Sequence, residues 1–411
     1  MKRVVITGLG AITPIGNTVE TFWNNLVNGV NGIDFIKSFP TENMSVKIAA
    51  EVKDFDPKDF GIDSNSARRS DLYTRYAMAA ANEAMTDSAL VVDPERFGTY
   101  IGSGIGGLHT IYNESIKLIQ EGTQWISPLF IPTMIANIAA ANVAITHKAQ
   151  GPSLPVVTAC ATATHAIGEA FRAIKFGYAD AIIAGGSEAA VHPLAISGFA
   201  NSKALDRSND PRNASLPFDK RRSGFVLGEG AGIVILEEYE HAKKRGAKIY
   251  AEVVGYGNTC DAYHLTAPSP DGKPAAKAMK DAITEGGGLK EDDVFYINAH
   301  GTGTPLNDKT ETAAIKIAFG EEVARKTMIS SCKSMTGHLL GAAGGIECIA
   351  ATLAVNHGIV PPTIGIREPD PECDLDYVPD RARKANVTLA ISNSLGFGGH
   401  NATIAIRRIE S

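Results

Sequence analysis

The sequence predicts an α/β fold made of two similar halves, and two patterns along the chain support this prediction. Short β-branched runs alternate with helical patterns from end to end, which is typical of strands in a buried, largely parallel sheet. The segment AEVVGYGNT is also similar to VVITGLGAI of the N-terminus, since both are strand-like and run into Gly-x-Gly. We therefore predict a first half over residues 1–246 and a second half over residues 247–411.

The elements of each half follow in the same alternating order. The first strand, RVVITG, precedes the helical pattern TVETFWNNLVNG, and the strand patterns TYIGSG, LPVVTA and DAIIAGG each precede a further helix. A strand and a charged helix, in FVLGEGAGIVILEEYEHAKKRG, end this half at Gly246. In the second half, helices separate the strand patterns VFYINAHGTG, MISSCK and VTLAISNS. No linker rich in proline, serine or one type of charge divides the halves.

The composition narrows the classes of protein to consider. The chain has 411 residues and a formal net charge of −6, whereas a nucleic-acid-binding protein normally carries a clustered basic excess. Hydrophobic residues make up 44%, but no run reaches the roughly 18 apolar residues of a membrane helix. The 5 cysteines contain no CxxC pair, so neither a zinc site nor a disulfide framework is favoured. We expect a cytoplasmic protein that binds neither nucleic acid nor membrane.

The segment LPVVTACATATHAIGEAFRAIKFG places a cysteine between a strand and a helix. The predicted strand runs to Ala159, and the predicted helix begins at about Ala161 and ends near Gly177 as its C-terminal cap. A thiol at a helix N-terminus faces unpaired N–H groups and the positive end of the helix dipole, and both stabilise a thiolate. On this segment alone, a buried structural cysteine remains the better interpretation of Cys160.

Two histidines occupy the same kind of position. His300 in NAHGTGTPLND and His338 in KSMTGHLLGAAGGIE each follow a predicted strand and precede a predicted helix. Strand-to-helix turns are where α/β folds collect their functional residues. Cys160, His300 and His338 together therefore form a candidate catalytic set.

Four segments carry a resemblance to a known family. VVTACATATHAIGEAF, NAHGTGTPLND, KSMTGHLLGAAGGIE and ISNSLGFGGHNATI resemble the signature segments of β-ketoacyl-[acyl-carrier-protein] synthases, most closely the elongating type II enzymes of fatty acid synthesis. The resemblance extends from the N-terminus to residue 406. It implies the thiolase-like fold, with two duplicated halves in five layers, αβαβα, and a homodimer. It also implies transfer of an acyl group from acyl carrier protein to cysteine, followed by decarboxylative condensation with malonyl on the carrier.

The resemblance assigns catalytic roles to five positions. Cys160 matches the nucleophile that becomes the acyl-thioester, and His300 and His338 match the pair that serves decarboxylation of malonyl. Lys333 matches the family lysine beside the second histidine and is expected to organise the electrostatics of the site. Phe397 matches the residue whose backbone N–H joins that of Cys160 in an oxyanion hole and whose ring gates the acyl pocket.

The resemblance also implies binding residues. Thr302 and Thr304 match the hydroxyls that bind the phosphopantetheine arm, and Ile105 matches a wall residue of the acyl pocket. No cofactor is required, but four positions match the oxygen ligands of a structural monovalent cation, Na⁺ or K⁺, in related enzymes: Asn298, Glu347, Ser392 and Asn393. Because the carrier is acidic, we expect a basic patch to meet it. The candidates for this patch are Arg68, Arg69, Lys203 and Arg207.

Several other functions compete with this interpretation. The run GSGIGG, residues 102–107, fits the G-x-G-x-x-G of dinucleotide-binding proteins, but the acids of the following ~20 residues are Glu114 in the predicted helix and Glu121 in a polar turn, and neither stands at the end of a second strand. A non-catalytic chain-length subunit would lack the nucleophile. A degradative thiolase would carry a second cysteine near the C-terminus, and a Cys-His hydrolase would leave the second histidine unexplained. Gly303 gives the GTGT spelling that is also frequent in polyketide ketosynthases, so the choice between a fatty acid and a polyketide pathway stays open.

Overall fold

The computed structural model describes residues 1–409, so the last two residues of the predicted second half lie outside the described part. Its strands are β1 (Val4–Ile12), β2 (Asp34–Phe35), β3 (Ile48–Ala49), β4 (Phe97–Gly102), β5 (Ala181–Glu188), β6 (Gly230–Glu238), β7 (Ala251–Cys260), β8 (Phe295–Asn298), β9 (Met328–Ser330), β10 (Ile359–Val360), β11 (Arg383–Lys384), β12 (Leu389–Gly396) and β13 (His400–Arg407).

The α-helices are α1 (Val19–Val27), α2 (Ser64–Arg68), α3 (Leu72–Ser88), α4 (Leu108–Glu121), α5 (Phe130–Met134), α6 (Ile138–His147), α7 (Thr162–Lys175), α8 (Pro193–Asn201), α9 (Tyr239–Lys244), α10 (Lys273–Glu285), α11 (Pro305–Phe319), α12 (Glu321–Lys326), α13 (Lys333–Thr336) and α14 (Ala343–His357). Short 3-10 helices occur at Pro57–Phe60, Pro94–Arg96, Thr123–Trp125, Ala159–Ala161 and Leu340–Ala342. Among these helices of residues 1–409, none combines the length and apolar character that a membrane crossing requires.

The main sheet confirms the duplication. Its 9 strands lie in the order β4-β5-β6-β1-β7-β13-β12-β8-β9. In the first half, β4 pairs with β5 in parallel, and the pairs β5-β6 and β6-β1 are antiparallel. In the second half, β8 pairs with β12 in parallel, and the pairs β12-β13 and β13-β7 are antiparallel. Counted outward from the central strands β1 and β7, the two halves therefore repeat the same sequence of strand directions.

The prediction of a largely parallel sheet is wrong. Of the pairings in the main sheet, those of β1 with β6 and β7, of β5 with β6, and of β13 with β7 and β12 are antiparallel. The antiparallel direction of β12 and β13 follows from their connection. The short Gly-rich turn between them has no room for a crossover helix, and strands joined by a tight turn are antiparallel. Alternation of strands and helices along a chain does not reveal such direct connections.

The two half-sheets face each other across two buried helices. They meet only where Val4, Val5 and Ile6 of β1 pair with residues of β7. Helix α7 packs on β5 of one half and β13 of the other, and α14 packs on β6 and β12. Helices α3 and α6 cover the outer face of the first half, and α10 and α11 cover that of the second. This gives the expected five layers αβαβα.

The central helices have the sequences that such a position demands. Residues 343–355 of α14 are all buried, and a helix that is apolar and small on all sides belongs inside a protein. Helix α7 ends as the sequence predicted, because Gly177 has φ of +84° and donates its N–H to the carbonyl of Ile174.

One predicted strand is absent from the described chain. Residues 154–158, expected to be a strand, are extended but unpaired, apart from the N–H of Leu154 bonded to the carbonyl of Thr99 and a single bridge between Thr99 and Ser153. This segment lies on the outer side of β4. In the second half, β9 takes the equivalent position on the outer side of β8. The exposed side chains of Leu154 and Val157 mark it as an uncovered sheet edge. The boundary predicted after Gly246 falls between α9 and β7 and stays a prediction.

Candidate active site

Three turns bring the predicted catalytic residues together between the two halves. Cys160 lies in the 3-10 turn before α7, His300 follows β8, and His338 lies between α13 and the 3-10 turn before α14. The His300 and His338 rings meet edge to face with centroids 5.3 Å apart. Cys160 shares an apolar cluster with Phe225, and the Phe225 ring contacts that of His338 at 5.2 Å. The structure thus joins residues that are far apart in the sequence.

Cys160 sits in a strained and buried turn. Ala159 has φ of +49°, a conformation that costs a non-glycine residue free energy and is found at functional sites. Cys160 is only 8% exposed, and burial raises the pKa of its thiol to about 11, against the opposing effects of the Phe397 N–H and the Lys333 charge.

The sequence predicts that the helix start assists the thiol without ionising it fully near neutral pH, and burial adds a larger effect in the opposite direction. A helix dipole contributes about 1 kcal/mol, less than one pKa unit, whereas full burial can shift a pKa by several units. Desolvation therefore dominates at Cys160, and the resting thiol is protonated at neutral pH.

The hairpin turn between β12 and β13 touches the nucleophile. A Cβ atom on Gly396 would lie 2.8 Å from the carbonyl oxygen of Thr158 and 3.3 Å from the amide nitrogen of Cys160, so only glycine permits this approach. The backbone N–H groups of Phe397 and Cys160 both act on the sulfur. These two N–H groups are therefore near enough to the sulfur to be candidates for an oxyanion hole, whose donors must face the oxygen of an acyl group bound there.

The tautomer of His338 is set by the turn that follows it. The Leu340 N–H donates to His338 Nδ1 over 3.3 Å, so the ring proton resides on Nε2. That Nε2 is buried and has no hydrogen-bond partner within residues 1–409. Burial, reinforced by the Lys333 charge, holds the pKa of His338 well below its usual range. His338 therefore presents a neutral N–H donor to the site.

His300 is held in a similar neutral state. Lys333 Nζ lies 3.4 Å from His300 Nδ1, which leaves Nε2 as the protonated nitrogen. Burial, then the charge of Lys333 and the proximity of His338, hold the pKa of His300 well below its ordinary value. Lys333 is itself only 1% exposed and forms an ion pair with Glu347, so it is not a solvated surface lysine.

Two buried carboxylates shape the turn that carries His300, and the sequence analysis missed both. Glu311 accepts the N–H groups of His300 and Gly301, each over 2.8 Å, and burial raises its pKa to about 7. Asp308 accepts the N–H of Gly303 over 3.2 Å. Acidic residues in the first turns of a helix after a Gly-Thr turn were the available signal, since they commonly accept N–H groups there.

The predicted phosphopantetheine threonines lie in the same turn. The hydroxyls of Thr302 and Thr304 are 2.9 Å apart, and Thr304 is the residue before α11. Phe218 N–H and Gly303 N–H both bond Asp308, which fixes the backbone between the two hydroxyls. The pair is placed to present two adjacent hydroxyls at one side of the His300 turn.

Three of the four residues matched to a cation site leave a buried oxygen free. Asn298 Oδ1, Glu347 Oε2 and Ser392 Oγ have no hydrogen-bond partner within residues 1–409. Asn298 and Ser392 are neighbours across the β8-β12 pairing, and α14, which carries Glu347, packs on both strands. The Asn393 side chain differs, because it accepts from Thr403 and donates to Glu311, so its amide does not belong to this set.

The loop that carries Ile105 and the basic residues predicted to meet the carrier lie outside this group of catalytic candidates. Ile105 follows β4 and is 37% exposed. The basic candidates are exposed and lie on separate elements: Arg68 and Arg69 at the end of α2, and Lys203 and Arg207 after α8. The loop of residues 102–107 does not resemble a free phosphate cradle, because the N–H groups of Gly104 and Ile105 already bond the carboxylate of Glu188.

The chain is similar to known proteins over its whole length. Residues 1–242 match the Beta-ketoacyl synthase, N-terminal domain, and residues 250–367 match the Beta-ketoacyl synthase, C-terminal domain. The 3-oxoacyl-[acyl-carrier-protein] synthase 2 of Synechocystis sp. is 52% identical, and that of Staphylococcus aureus is 50% identical. Both alignments cover 100% of this chain and 99% of the relative.

Solved structures are similar over the same length. A type II PKS acyl-carrier protein in complex with its ketosynthase bound to the hexaketide aligns with a TM-score of 0.91 at 35% identity. The ishigamide ketosynthase/chain length factor aligns with a TM-score of 0.91 at 36% identity. Each alignment covers 100% of both chains.

Proposed function

The chain belongs to the β-ketoacyl synthase family, and from this we propose that it elongates acyl chains by decarboxylative condensation. An acyl group on Cys160 would react with malonyl-acyl carrier protein to give 3-oxoacyl-carrier, CO2 and the free thiol. Two relatives named 3-oxoacyl-[acyl-carrier-protein] synthase 2 match 100% of the chain at 52% and 50% identity. The polyketide ketosynthase structures reach only 35% and 36%, which favours fatty acid elongation over a polyketide pathway.

The first half-reaction loads the enzyme. Cys160 Sγ attacks the thioester carbonyl of acyl-carrier, the carbon–sulfur bond to the phosphopantetheine breaks, and the proton from Cys160 goes to the departing thiol. Negative charge develops on the carbonyl oxygen, and we propose that the N–H groups of Cys160 and Phe397, both of which lie beside the Cys160 sulfur, donate to it. Removing one donor of an oxyanion hole typically costs about 3 to 4 kcal/mol, so this pair is a large part of the catalytic machinery.

The second half-reaction makes the new carbon–carbon bond. The bond to the malonyl carboxylate breaks, CO2 leaves, and the electron pair passes into the thioester as an enolate. The neutral N–H groups of His300 and His338 donate to the enolate oxygen. The enolate carbon attacks the acyl carbonyl, and Cys160 leaves as thiolate and takes up a proton. The observation that carries this assignment is the buried, unpartnered Nε2–H of His338 beside a second neutral histidine.

Three buried oxygens without a hydrogen-bond partner in the described part of the chain support a proposal about a bound ion. The free oxygens of Asn298, Glu347 and Ser392 fit a Na⁺ or K⁺ ion, whose positive charge, when bound, would offset the buried carboxylate. Asn393 can contribute only a main-chain oxygen to this site, since its amide bonds Thr403 and Glu311. Glu347 also positions Lys333, because its carboxylate forms an ion pair with the Lys333 ammonium group.

The proposed partners are acyl carrier protein and a second copy of the chain. One related solved structure is titled as an acyl-carrier protein in complex with its ketosynthase, which supports the carrier. The exposed edge segment with Leu154 and Val157, together with exposed apolar side chains such as Ile119 and Trp125, supports a homodimer. The 5 cysteines are all free, which supports a reducing compartment such as the cytoplasm.

Intact-mass spectrometry of the purified chain with long acyl-carrier and malonyl-carrier tests the function. We expect an acyl-enzyme adduct, then 3-oxoacyl-carrier and CO2. The Cys160→Ala variant should show neither adduct nor product, whereas Cys260→Ala, a matched change at an exposed cysteine, should retain both. Equal labelling of Cys160→Ala and wild type would refute the nucleophile.

A further inference from the structure

Glu188, the last residue of β5, is a buried carboxylate that the condensation chemistry does not use. It is 0% exposed. Oε1 accepts the hydroxyl of Ser103 over 2.8 Å and the N–H of Ile105 over 3.2 Å, and Oε2 accepts the N–H groups of Gly104 over 2.8 Å and Gly341 over 3.0 Å. All four donors are neutral groups, so the carboxylate is held by hydrogen bonds and not by a countercharge.

These four donors come from two different segments of the chain. Ser103, Gly104 and Ile105 belong to the loop after β4, which we call the pocket loop (residues 103–107). Gly341 belongs to the 3-10 turn before α14, in the other half of the fold. One carboxylate therefore ties a loop of the first half to a turn of the second.

The two segments touch so closely that no side chain fits between them. A Cβ atom on Gly341 would lie 2.4 Å from the Gly104 nitrogen and 2.8 Å from Glu188 Oε2. A Cβ atom on Gly104 would lie 2.7 Å from the same oxygen. Contacts under 3.0 Å force atoms to move, so both glycines are needed for Glu188 Oε2 to reach both N–H groups.

The turn held by Glu188 is the one that sets the tautomer of His338. Gly341 directly follows Leu340, whose N–H donates to His338 Nδ1 and whose φ of +47° is a strained conformation for leucine. A strained backbone persists only where its surroundings fix it. The hydrogen bond from Gly341 to Glu188 is such a constraint, one residue from the strained position.

We propose that Glu188 is a positioning residue that fixes the pocket loop and the His338 turn against each other, so that acyl selection and malonyl decarboxylation depend on one carboxylate. This rests on the proposed function. It adds that the pocket loop and the His338 turn share a single hydrogen-bond acceptor, so that loss of Glu188 loosens both segments.

Substitutions at Glu188 separate the two ends of this connection. Glu188→Ala removes all acceptors, so both segments should loosen. In Glu188→Gln the amide oxygen can take the Oε2 place and keep the N–H groups of Gly104 and Gly341. The amide nitrogen then faces the Ser103 hydroxyl, which can accept, but it leaves the Ile105 N–H without an acceptor. The glutamine variant should therefore keep the His338 turn and disturb only the pocket loop.

Hydrogen exchange followed by mass spectrometry tests this on the folded full chain, independently of activity. We expect faster exchange in peptides covering residues 103–107 and 339–343 for Glu188→Ala, and only in residues 103–107 for Glu188→Gln. Unchanged exchange in both peptides of a folded Glu188→Ala variant would overturn the proposal. If Glu188→Ala does not fold, the Ser103→Ala variant replaces it. Faster exchange is then expected in residues 103–107 alone, and unchanged exchange in those residues would also overturn the proposal.

Kinetics supply the functional readout. Glu188→Ala should slow CO2 release from malonyl-carrier about tenfold or more, since misplacement of a catalytic group by about 1 Å can cost up to 10²-fold. It should also reduce the discrimination between short and long acyl-carriers. Glu188→Gln should release CO2 at a rate within about threefold of wild type, because the glutamine oxygen keeps its hydrogen bond to the His338 turn. A general loss of structure would not be reversed in this way, so equal rates for Glu188→Ala and Glu188→Gln would contradict the shared acceptor. If wild type releases no CO2, the proposed function fails, and the exchange data still decide the role of Glu188.

Discussion

Replacing Lys333 by methionine should expose how much the active centre depends on one buried ion pair. The Lys333 and Glu347 side chains are 1% and 0% exposed. Removing one partner of a buried pair leaves an uncompensated charge and costs about 3 to 5 kcal/mol. In buffer free of Na⁺ and K⁺, where no bound cation offsets the Glu347 carboxylate, the expected loss lies at the upper end of this range, because Glu347 Oε2 lacks a protein partner among residues 1–409. Methionine keeps most of the volume of the lysine stem, so packing should change little.

Denaturant unfolding at pH 7 measures this cost, and the double variant supplies the control. Lys333→Met combined with Glu347→Gln removes both charges, so it should recover a large part of the lost free energy of unfolding. Pairs in direct contact typically show interaction energies of about 0.5 to 3 kcal/mol in such cycles. A Lys333→Met variant within about 1 kcal/mol of wild type, or a double variant no more stable than the single one, would refute the reasoning.

The same variant has a predicted pH dependence. Burial raises the pKa of Glu347 and the Lys333 charge opposes that rise, so the loss of Lys333 raises this pKa further. A carboxyl whose folded-state pKa lies above its unfolded value is stabilising when protonated, and stability falls as pH rises from the unfolded pKa to the folded one. The deficit of Lys333→Met should therefore be smaller at pH 5 than at pH 8, and a deficit that grows toward acid would contradict this.

Three further perturbations have defined outcomes. His300→Ala and His338→Ala should each slow CO2 release from malonyl-carrier about a hundredfold or more, and far more than self-acylation of Cys160, because only decarboxylation forms the enolate; normal decarboxylation with failed acylation would reverse these roles. Ile105→Phe should shift products to shorter chains, with a loss of about tenfold for long acyl groups if the added ring costs 1.4 kcal/mol; an unchanged length distribution would place the acyl pocket elsewhere. Burial raises the pKa of Glu229 to about 8, so Glu229 should contribute a loss of stability from about pH 4.5 to pH 8, and Glu229→Gln should reduce this slope and gain a few kcal/mol at pH 9; equal melting-temperature slopes for the two proteins would contradict it.

The parts of the fold that follow from local patterns were predictable from the sequence. The alternation of strands and helices revealed the α/β class, and the similarity of VVITGLGAI to AEVVGYGNT revealed the duplication, which β1 and β7 confirm at the centre of the sheet. The turns of Cys160, His300 and His338 were found because each follows a strand-like pattern in the sequence, although the short helix α13 separates β9 from His338. These are all properties of a few consecutive residues.

The supporting carboxylates depend instead on contacts between distant residues. Glu188 and Gly341 are 153 positions apart when they form a hydrogen bond, and no local pattern marks that pairing. Strand direction escaped prediction for a related reason, since it depends on how each connection crosses the sheet. The helix start that assists the Cys160 thiol is visible in the sequence, whereas the burial that outweighs it is not.

The duplication explains why the reactive groups meet where they do. Both central helices begin with a 3-10 turn, Ala159–Ala161 before α7 and Leu340–Ala342 before α14, and the two turns contact each other. Each contains a non-glycine residue with φ near +50°, Ala159 at +49° and Leu340 at +47°. In the first half this turn presents Cys160. In the second it offers the Leu340 N–H that orients His338, so one local structure, used twice and brought face to face, supplies both the proposed nucleophile and the alignment of the proposed donor to the enolate.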